Sequence, residues 1–213
     1  MRRRVGILIS GRGTNMEALL QASQAPDYPA EIALVLTNRT DAAGIGTAAA
    51  AGVPTAIIDH RPFGRDRAAH EAAIAAALDG AGVEIVCLAG YMRLLTPFLV
   101  GRYAGRMLNI HPSLLPAFPG LDTHARVLLA GAKLHGCTVH LVTETMDEGP
   151  ILAQAAIPVL PDDTEESLAA RVLAQEHATY ALALRLFAAG TSGAAPPGNA
   201  ALRNPLPPTG FAT

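Results

Sequence analysis

The fold class is decided by residues 5–15, which read Val5-Gly6-Ile7-Leu8-Ile9-Ser10-Gly11-Arg12-Gly13-Thr14-Asn15. The segment 5–10 has the length and apolar character of a buried strand, and a helical segment follows from about Met16. A glycine-rich turn joins the two. A strand that is apolar on both faces needs helices on both sides of its sheet, so this stretch predicts an α/β fold with a parallel sheet.

The alternation of strand and helix continues to about residue 112. Predicted strands cover 31–37, 55–59, 85–88 and 107–110, and predicted helices cover 42–51, 67–78 and, after a proline-rich loop, 123–130. Longer strands over 135–143 and 151–160, which we expect to be antiparallel, precede one long helix over 164–189. We therefore predict a Rossmann-like open sheet, mostly parallel with antiparallel C-terminal strands, and helices on both faces.

Composition limits the classes of function. The 213 residues are 50% hydrophobic and 16% charged with a net charge of −2, which argues against nucleic acid as a partner. No apolar run approaches the roughly 20 residues of a membrane span. Cys87 and Cys137 lie in apolar runs, where we expect small core residues of a reduced, cytoplasmic protein. We predict one domain over 1–190 and a weakly ordered, proline-rich tail over 191–213.

A polar pair marks the end of the predicted strand 107–110. Asn109 and His111 are two residues apart, so both side chains can point to the same side of the strand. In open α/β sheets, ligands bind at the carboxyl ends of the strands, which is where this pair lies. An amide donor beside an imidazole that can carry a positive charge suits a carbonyl oxygen that becomes negative during reaction. The pair therefore predicts chemistry on an acyl group.

The glycine-rich turn is a candidate anion site. Gly13 lets the backbone approach a ligand closely, and the free N–H groups at the start of the following helix favour a phosphate. The turn lacks the Gly-Lys-Ser/Thr of a Walker A loop, and Met16 stands where a dinucleotide fingerprint has its third glycine or alanine. A monophosphate therefore fits better than a dinucleotide, although a tight turn without a ligand stays open.

Other chemistries find less support. Asp147, in a loop between two predicted strands, would favour the charged form of His111 if the two met, but a plain turn aspartate stays open. The remaining histidines match no zinc-site spacing, so we predict no metal. The sequence has no Gly-x-Ser-x-Gly motif, and Cys87 lies inside an apolar run, which argues against a covalent nucleophile.

These residues make the chain similar to the phosphoribosylglycinamide formyltransferases, a family of folate-dependent enzymes of purine biosynthesis. The resemblance runs from about Val5 to Gly190. It is carried by the segments 9–15, 88–93, 108–116, 136–149 and 175–177. The Asn-x-His-Pro-Ser block with a later Asp-x-Gly is typical of folate-dependent formyl transfer. The resemblance implies that 10-formyltetrahydrofolate donates a formyl group to the amine of 5-phosphoribosylglycinamide by direct attack of that amine.

The resemblance also implies roles for individual residues. Asn109 and His111 would stabilise the oxyanion, with Asp147 holding His111 protonated and ordering a water that carries the proton. The substrate would be bound by Gly13, Thr14 and Asn15 at its phosphate and by Glu176 at its amine or ribose. The folate would contact Arg67, Met92, Arg93, Leu94, Leu95, Asn109, Thr143 and Asp147.

Two positions depart from the family's pattern. Arg67 matches a folate-site arginine only after a one-residue insertion between Phe63 and Arg67, so Arg65 competes for that role. Leu173 stands where relatives commonly have a polar residue on the phosphate side, and Arg12 is the candidate substitute.

Three alternatives differ from this interpretation. Methionyl-tRNA formyltransferase carries an additional, usually basic C-terminal domain, and formyltetrahydrofolate hydrolase begins with a regulatory domain; we expect neither here. A non-catalytic phosphate-binding module would replace at least one of Asn109, His111 and Asp147, and all three are present. We therefore expect the two small-molecule substrates as partners, with a homodimer left open.

Overall fold

The computed structural model describes residues 1–190 and 201–203. Its strands are β1 Arg3–Ile9, β2 Ala30–Thr37, β3 Thr55–Ile57, β4 Ile85–Leu88, β5 Met107–His111, β6 Leu134–Leu141, β7 Ile151–Pro158 and β8 Ala201–Arg203. Its α-helices are α1 Thr14–Ser23, α2 Gly44–Ala50, α3 Arg67–Gly80, α4 Pro97–Arg102, α5 Thr123–Leu129 and α6 Glu165–Ala189. A short 3-10 helix covers Arg61–Phe63. No helix within these residues is long and apolar enough to cross a membrane.

The strands form one sheet in the order β3-β2-β1-β4-β5-β6-β7-β8. Neighbouring strands are parallel from β3 to β5, whereas β6 is antiparallel to both β5 and β7. β8 runs parallel to β7. The predicted Rossmann-like sheet, mostly parallel with antiparallel C-terminal strands and covered by helices, is confirmed.

Apolar cores lie on both faces of the sheet. Val5 and Ile9 of β1 pack in a core with α1 and α6, whereas Leu8 packs in a second core with α3 and α4. Successive side chains of a strand point to opposite faces, so one strand contributes to both cores. Cys87 and Cys137 are free thiols that are fully buried, as predicted.

Several details differ from the sequence prediction. Helix α4 was not predicted, although Thr96 at its N-cap and Pro97 at its first position are ordinary signals of a helix start. Strands β6 and β7 end two residues earlier than predicted, at Leu141 and Pro158, because the chain leaves the sheet there. The predicted tail 191–213 lies outside the described residues except for β8.

The topology creates a cleft at the carboxyl ends of the parallel strands. The order of strands reverses at β1, whose neighbours β2 and β4 lie on opposite sides, and such a switch point is where open sheets bind ligands. The loops that leave the sheet at this edge include 10–13 after β1, 89–96 after β4 and 112–122 after β5. A fourth loop, 142–150, joins β6 to β7. Three of these loops, 10–13, 89–96 and 142–150, carry the predicted site residues other than Asn109, His111, Arg67 and those on helices α1 and α6.

Candidate active site

His111 lies at the end of β5 with an acceptor for each ring nitrogen. Its Nε2 is 3.0 Å from the carbonyl oxygen of Phe118, and its Nδ1 is 3.4 Å from Oδ2 of Asp147. The side chains of His111 and Asp147 are only 7% and 8% exposed, so water competes little for these contacts. A ring that carries an N–H on both nitrogens, the imidazolium, satisfies both acceptors. The structure therefore brings together two residues that sequence spacing could not pair.

Asp147 is held by its backbone conformation and by a second loop. Its φ is +60°, in the left-handed region where Asp and Asn are enriched among residues other than glycine. Its Oδ2 accepts a hydrogen bond of 2.8 Å from the backbone N–H of Gly120. This bond joins loop 142–150 to loop 112–122, so the carboxylate does not act as a plain turn aspartate.

Asn109 is oriented by His140, a residue that the sequence analysis did not assign to the site. The two lie directly opposite each other in the antiparallel pair β5·β6, and Nδ2 of Asn109 is 3.2 Å from Nε2 of His140. His140 Nδ1 donates to the carbonyl oxygen of Leu141 at 3.0 Å, so its Nε2 is the acceptor in the contact with Asn109. Because an amide nitrogen carries two hydrogens, Asn109 keeps one for a ligand oxygen.

Two imidazoles thus share one carboxylate but have different surroundings. His140 Nε2 is 3.7 Å from Oδ1 of Asp147, and that charge favours protonation. Burial has the larger effect and lowers the pKa of His140, which keeps this ring neutral near pH 7. His111 has acceptors on both nitrogens and is the ring whose contacts suit a positive charge. Among the residues that the structure describes, no hydrogen bond joins Asn109 to His111 directly.

A buried network supports the loop that contacts His111. The Thr138 hydroxyl donates to the carbonyl oxygen of Ser113 at 2.7 Å and accepts from the backbone N–H of Leu115 at 3.0 Å. Gln154 Nε2 donates to the carbonyl oxygen of Leu115 at 2.9 Å. Thr138 and Ser113 are fully buried. Side chains of β6 and β7 therefore fix the start of loop 112–122, which later presents Phe118.

A second histidine pair lies beyond this loop. His124 Nδ1, in α5, is 2.9 Å from Nε2 of His135, in β6, and the two rings meet edge to face. Burial lowers the pKa of both residues and brings that of His135 to about 4. The pair is therefore uncharged at neutral pH and shares one proton across the hydrogen bond.

The residues of the predicted phosphate site lie at the start of α1. Gly13 caps the helix with a φ of +78°, and a Cβ there would lie 3.1 Å from Met16 Cε and 3.3 Å from Gly44 Cα. Both observations favour glycine at this position. Asn15 Nδ2 donates to Oε2 of Glu176 at 2.7 Å, so these two predicted substrate residues meet. Burial raises the pKa of Glu176, while the hydrogen bond from Asn15 opposes the shift.

The predicted folate residues lie mostly on loop 89–96. Met92 and Leu94 are 69% and 65% exposed, which leaves an apolar surface at the mouth of the cleft. Buried Ser10 anchors the loop, since its Oγ accepts from the backbone N–H of Met92 at 2.8 Å and donates to Oδ1 of Asn38 at 2.6 Å. The sequence analysis missed Ser10 and Asn38, because their contacts depend on how the ends of β1 and β2 align.

Arg67 contacts the same loop from outside it. Arg67 Nη1 donates to the carbonyl oxygen of Leu94 at 3.4 Å, so Arg67 contacts the loop. Within the described ranges, the side chains of Arg65, Arg93 and Arg12 have no hydrogen bond or ion pair, and Arg65 and Arg12 are exposed. The contact with Leu94 therefore favours Arg67 over Arg65 as the folate-side arginine.

The remaining predicted positions contribute less directly. Leu95 packs against the core under α3 and α4. The hydroxyl of Thr143 donates to the carbonyl oxygen of Thr145 at 3.0 Å, inside its own loop. Leu173 is half-buried on α6, and Thr14 begins α1. Residues 1–190 and 201–203 contain no group of three or more His, Cys, Asp or Glu residues that could hold a metal ion.

Known proteins resemble the chain over most of its length. The family profile described as "Formyl transferase" matches residues 3–184, which include Asn109, His111 and Asp147. The chain belongs to the formyl transferase family. A crystal structure of phosphoribosylglycinamide formyltransferase from Brucella melitensis is 59% identical to the chain, with a TM-score of 0.85. The alignment covers 92% of this chain and 100% of that one.

Relatives in the family differ in length. The phosphoribosylglycinamide formyltransferase of Escherichia coli (strain K12) is 42% identical over 184 residues, which are 86% of each chain. The trifunctional purine biosynthetic protein adenosine-3 of Gallus gallus is 46% identical over 187 residues. That match covers 88% of this chain but only 18% of the length of the trifunctional protein.

Proposed function

We propose that the chain transfers the formyl group of 10-formyltetrahydrofolate to the amine of 5-phosphoribosylglycinamide, a step of purine biosynthesis. The observation that carries this proposal is the arrangement of Asn109, His111 and Asp147 at the cleft edge of a family-typical sheet. The names of the full-length relatives, at 42% and 59% identity, support the same activity. Residues 1–190 would form the whole catalytic domain, acting in the cytoplasm.

The N–H groups of Asn109 and His111 favour a developing oxyanion. When the substrate amine attacks the formyl carbon, the formyl oxygen gains negative charge. Asn109 has one N–H left after bonding His140, and it would donate this N–H to that oxygen. His111 Nε2 is bonded to the carbonyl oxygen of Phe118, so the Nδ1–H that faces Asp147 at 3.4 Å would be shared with the reacting oxygen. Two donors, one of them charged, would stabilise the tetrahedral intermediate.

Asp147 would keep His111 positively charged. Its carboxylate lies 3.4 Å from Nδ1 of His111, which favours the imidazolium and fixes the plane of the ring. The same carboxylate would order a water molecule that takes the proton from the attacking nitrogen and delivers it to the leaving nitrogen of the folate. No covalent intermediate with the protein is needed, and most of the rate gain would come from aligning the two substrates.

The two substrates would be bound by different segments of the chain. Gly13, Thr14 and Asn15 would bind the phosphate with the backbone at the start of α1, and Glu176 would recognise the amine or ribose. Folate would lie against the exposed apolar surface of Met92 and Leu94, with further contacts from Arg67, Arg93, Leu95, Thr143 and Asp147. The formyl group would then reach Asn109 and His111 at the centre of the cleft.

The proposal is tested with purified protein, 10-formyltetrahydrofolate and 5-phosphoribosylglycinamide. Loss of the formyl group from folate should require the amine, and formylated amine should appear in equal amount. Formyl loss at the same rate without the amine would identify a hydrolase. Binding of both ligands without turnover would identify a non-catalytic binding module.

A further inference from the structure

The two strands that carry the folate loop and Asn109 part at the site. Strands β4 and β5 pair in parallel, and their last pairing joins Leu88 to Asn109. Beyond this point β4 leads into loop 89–96, whereas β5 continues to His111. The distance between bound folate and the oxyanion donors therefore depends on how the strands are held where they separate.

The Tyr180 hydroxyl lies at this point of separation. It is 3.1 Å from the carbonyl oxygen of Leu88 and 3.1 Å from that of Leu108, and the side chain is fully buried. One O–H thus spans the ends of both strands. Leu88 immediately precedes loop 89–96, and Leu108 immediately precedes Asn109.

We propose that Tyr180 is a positioning residue whose hydroxyl sets the spacing between the folate loop and Asn109. The inference rests on the proposed function, because it concerns the alignment of folate with the oxyanion donors. Tyr180 does not touch the reacting atoms and exchanges no proton with them.

Helix α6 extends this alignment to the other substrate. Glu176 and Tyr180 are four residues apart, so they lie on the same face of the helix, and both are buried. Glu176 accepts from Asn15 at the phosphate site, and Tyr180 donates at the strands that carry folate and Asn109. One rigid helix face thereby relates the phosphate side of the cleft to the folate side.

The surroundings keep the hydroxyl a donor. Burial raises the pKa of Tyr180, and a neighbouring thiol, Cys87, acts in the same direction. The phenol is therefore protonated at neutral pH and well above it, so its donation to the two carbonyl groups does not change with pH near neutrality.

A second buried tyrosine provides a matched control. Tyr28 is 3% exposed, and its hydroxyl donates to the carbonyl oxygen of Ala181 on the same helix at 2.8 Å. Both Tyr28→Phe and Tyr180→Phe remove one buried hydroxyl that bonds a backbone carbonyl. Only the second hydroxyl contacts the strands of the site.

The experiment measures kcat and both KM values for the wild-type chain, Tyr180→Phe and Tyr28→Phe at a temperature where circular dichroism shows all three folded. We expect Tyr180→Phe to lower kcat by about tenfold or more, since small misplacements of reacting groups are costly. The KM for 5-phosphoribosylglycinamide should change less than threefold, and the pH profile of kcat should keep its shape. Tyr28→Phe should stay within about twofold of wild type.

Equal kcat values for the two Phe variants, with an active wild type, would overturn this inference alone. An inactive wild type would overturn the proposed function and this inference with it. If Tyr180→Phe does not fold, 4-aminophenylalanine and 4-methylphenylalanine are placed at position 180. Both fill the volume of the hydroxyl, but only the first donates. A kcat near wild type for the amino variant and a tenfold lower one for the methyl variant would support the inference, and equal values would overturn it.

Discussion

Replacing Asp147 by Asn tests the central electrostatic contact of the site. The two side chains have nearly the same shape, and Asn tolerates the left-handed φ of +60° at this position at least as well as Asp. The amide oxygen can still accept from the backbone N–H of Gly120, so the loop should keep its conformation. What the substitution removes is the negative charge beside His111.

The expected loss of rate in Asp147→Asn follows from the distance between the two charged groups. For unit charges 3.4 Å apart, the attraction is about 5 kcal/mol at an effective dielectric constant of about 20. If the contact were used in full in the transition state, its loss would slow the reaction by about 4,000-fold. The change in kcat should therefore fall between about 10²- and 10⁴-fold, the range usual for general acid–base groups.

The assay is steady-state formyl transfer at saturating concentrations of both substrates, with thermal unfolding of the variant as a check on folding. Asp122→Asn is a matched control, because Asp122 also has a positive φ, of 55°, and its exposed side chain makes no capping hydrogen bond. The control should remain within about threefold of wild type. A folded Asp147→Asn protein with a kcat within tenfold of wild type would refute the role given to this carboxylate.

Three further predictions concern the surroundings of the site. Asn15→Ala removes the donor to Glu176 and should raise the KM for 5-phosphoribosylglycinamide about tenfold with little change in kcat; an equal fall in kcat would contradict a pure binding role. Ser10→Ala removes the acceptor of the Met92 N–H and should raise the KM for folate severalfold, leaving that of the amine substrate unchanged. The pKa of His135 is lowered to about 4, so the unfolded chain binds more protons as the pH falls from about 6.5 to about 4, and unfolding free energy should drop by up to about 3 kcal/mol. Urea unfolding at several pH values across this range should show that the unfolding free energy of His135→Gln varies less with pH than that of wild type. The same variation with pH in both proteins would exclude this explanation.

The sheet and its cleft could be predicted because their signals are local. Val5–Ser10 is an unbroken apolar strand, and the glycine-rich turn after it leads directly into a helix. Asn109 and His111 lie on one short strand, so their shared direction follows from the two-residue period of strands. Chemistry that depends on neighbours in sequence was therefore accessible before the structure was known.

Contacts between distant segments were not accessible in the same way. Asp147 lies 36 residues after His111, and nothing in that spacing states that loop 142–150 returns to β5. The pairing came from the family resemblance, and the structure supplies its physical basis in the Gly120 bond and the positive φ. The Ser10 and Tyr180 contacts were missed for the same reason, since each joins strand ends that are far apart in sequence.

His140 shows most clearly why residue type and spacing are insufficient to predict every residue of the site. It lies in β6 directly opposite Asn109, within a regular stretch of the β5·β6 pairing. Because side chains alternate between faces, shifting β6 by one residue against β5 would turn this imidazole away from Asn109 and towards the opposite face of the sheet. In one register of β6 against β5, this histidine would be an ordinary buried residue. In the observed register, it is the acceptor that orients the Asn109 amide. His140→Phe should therefore lower kcat through Asn109 while leaving His111 and Asp147 in contact, which a structure of the variant would show.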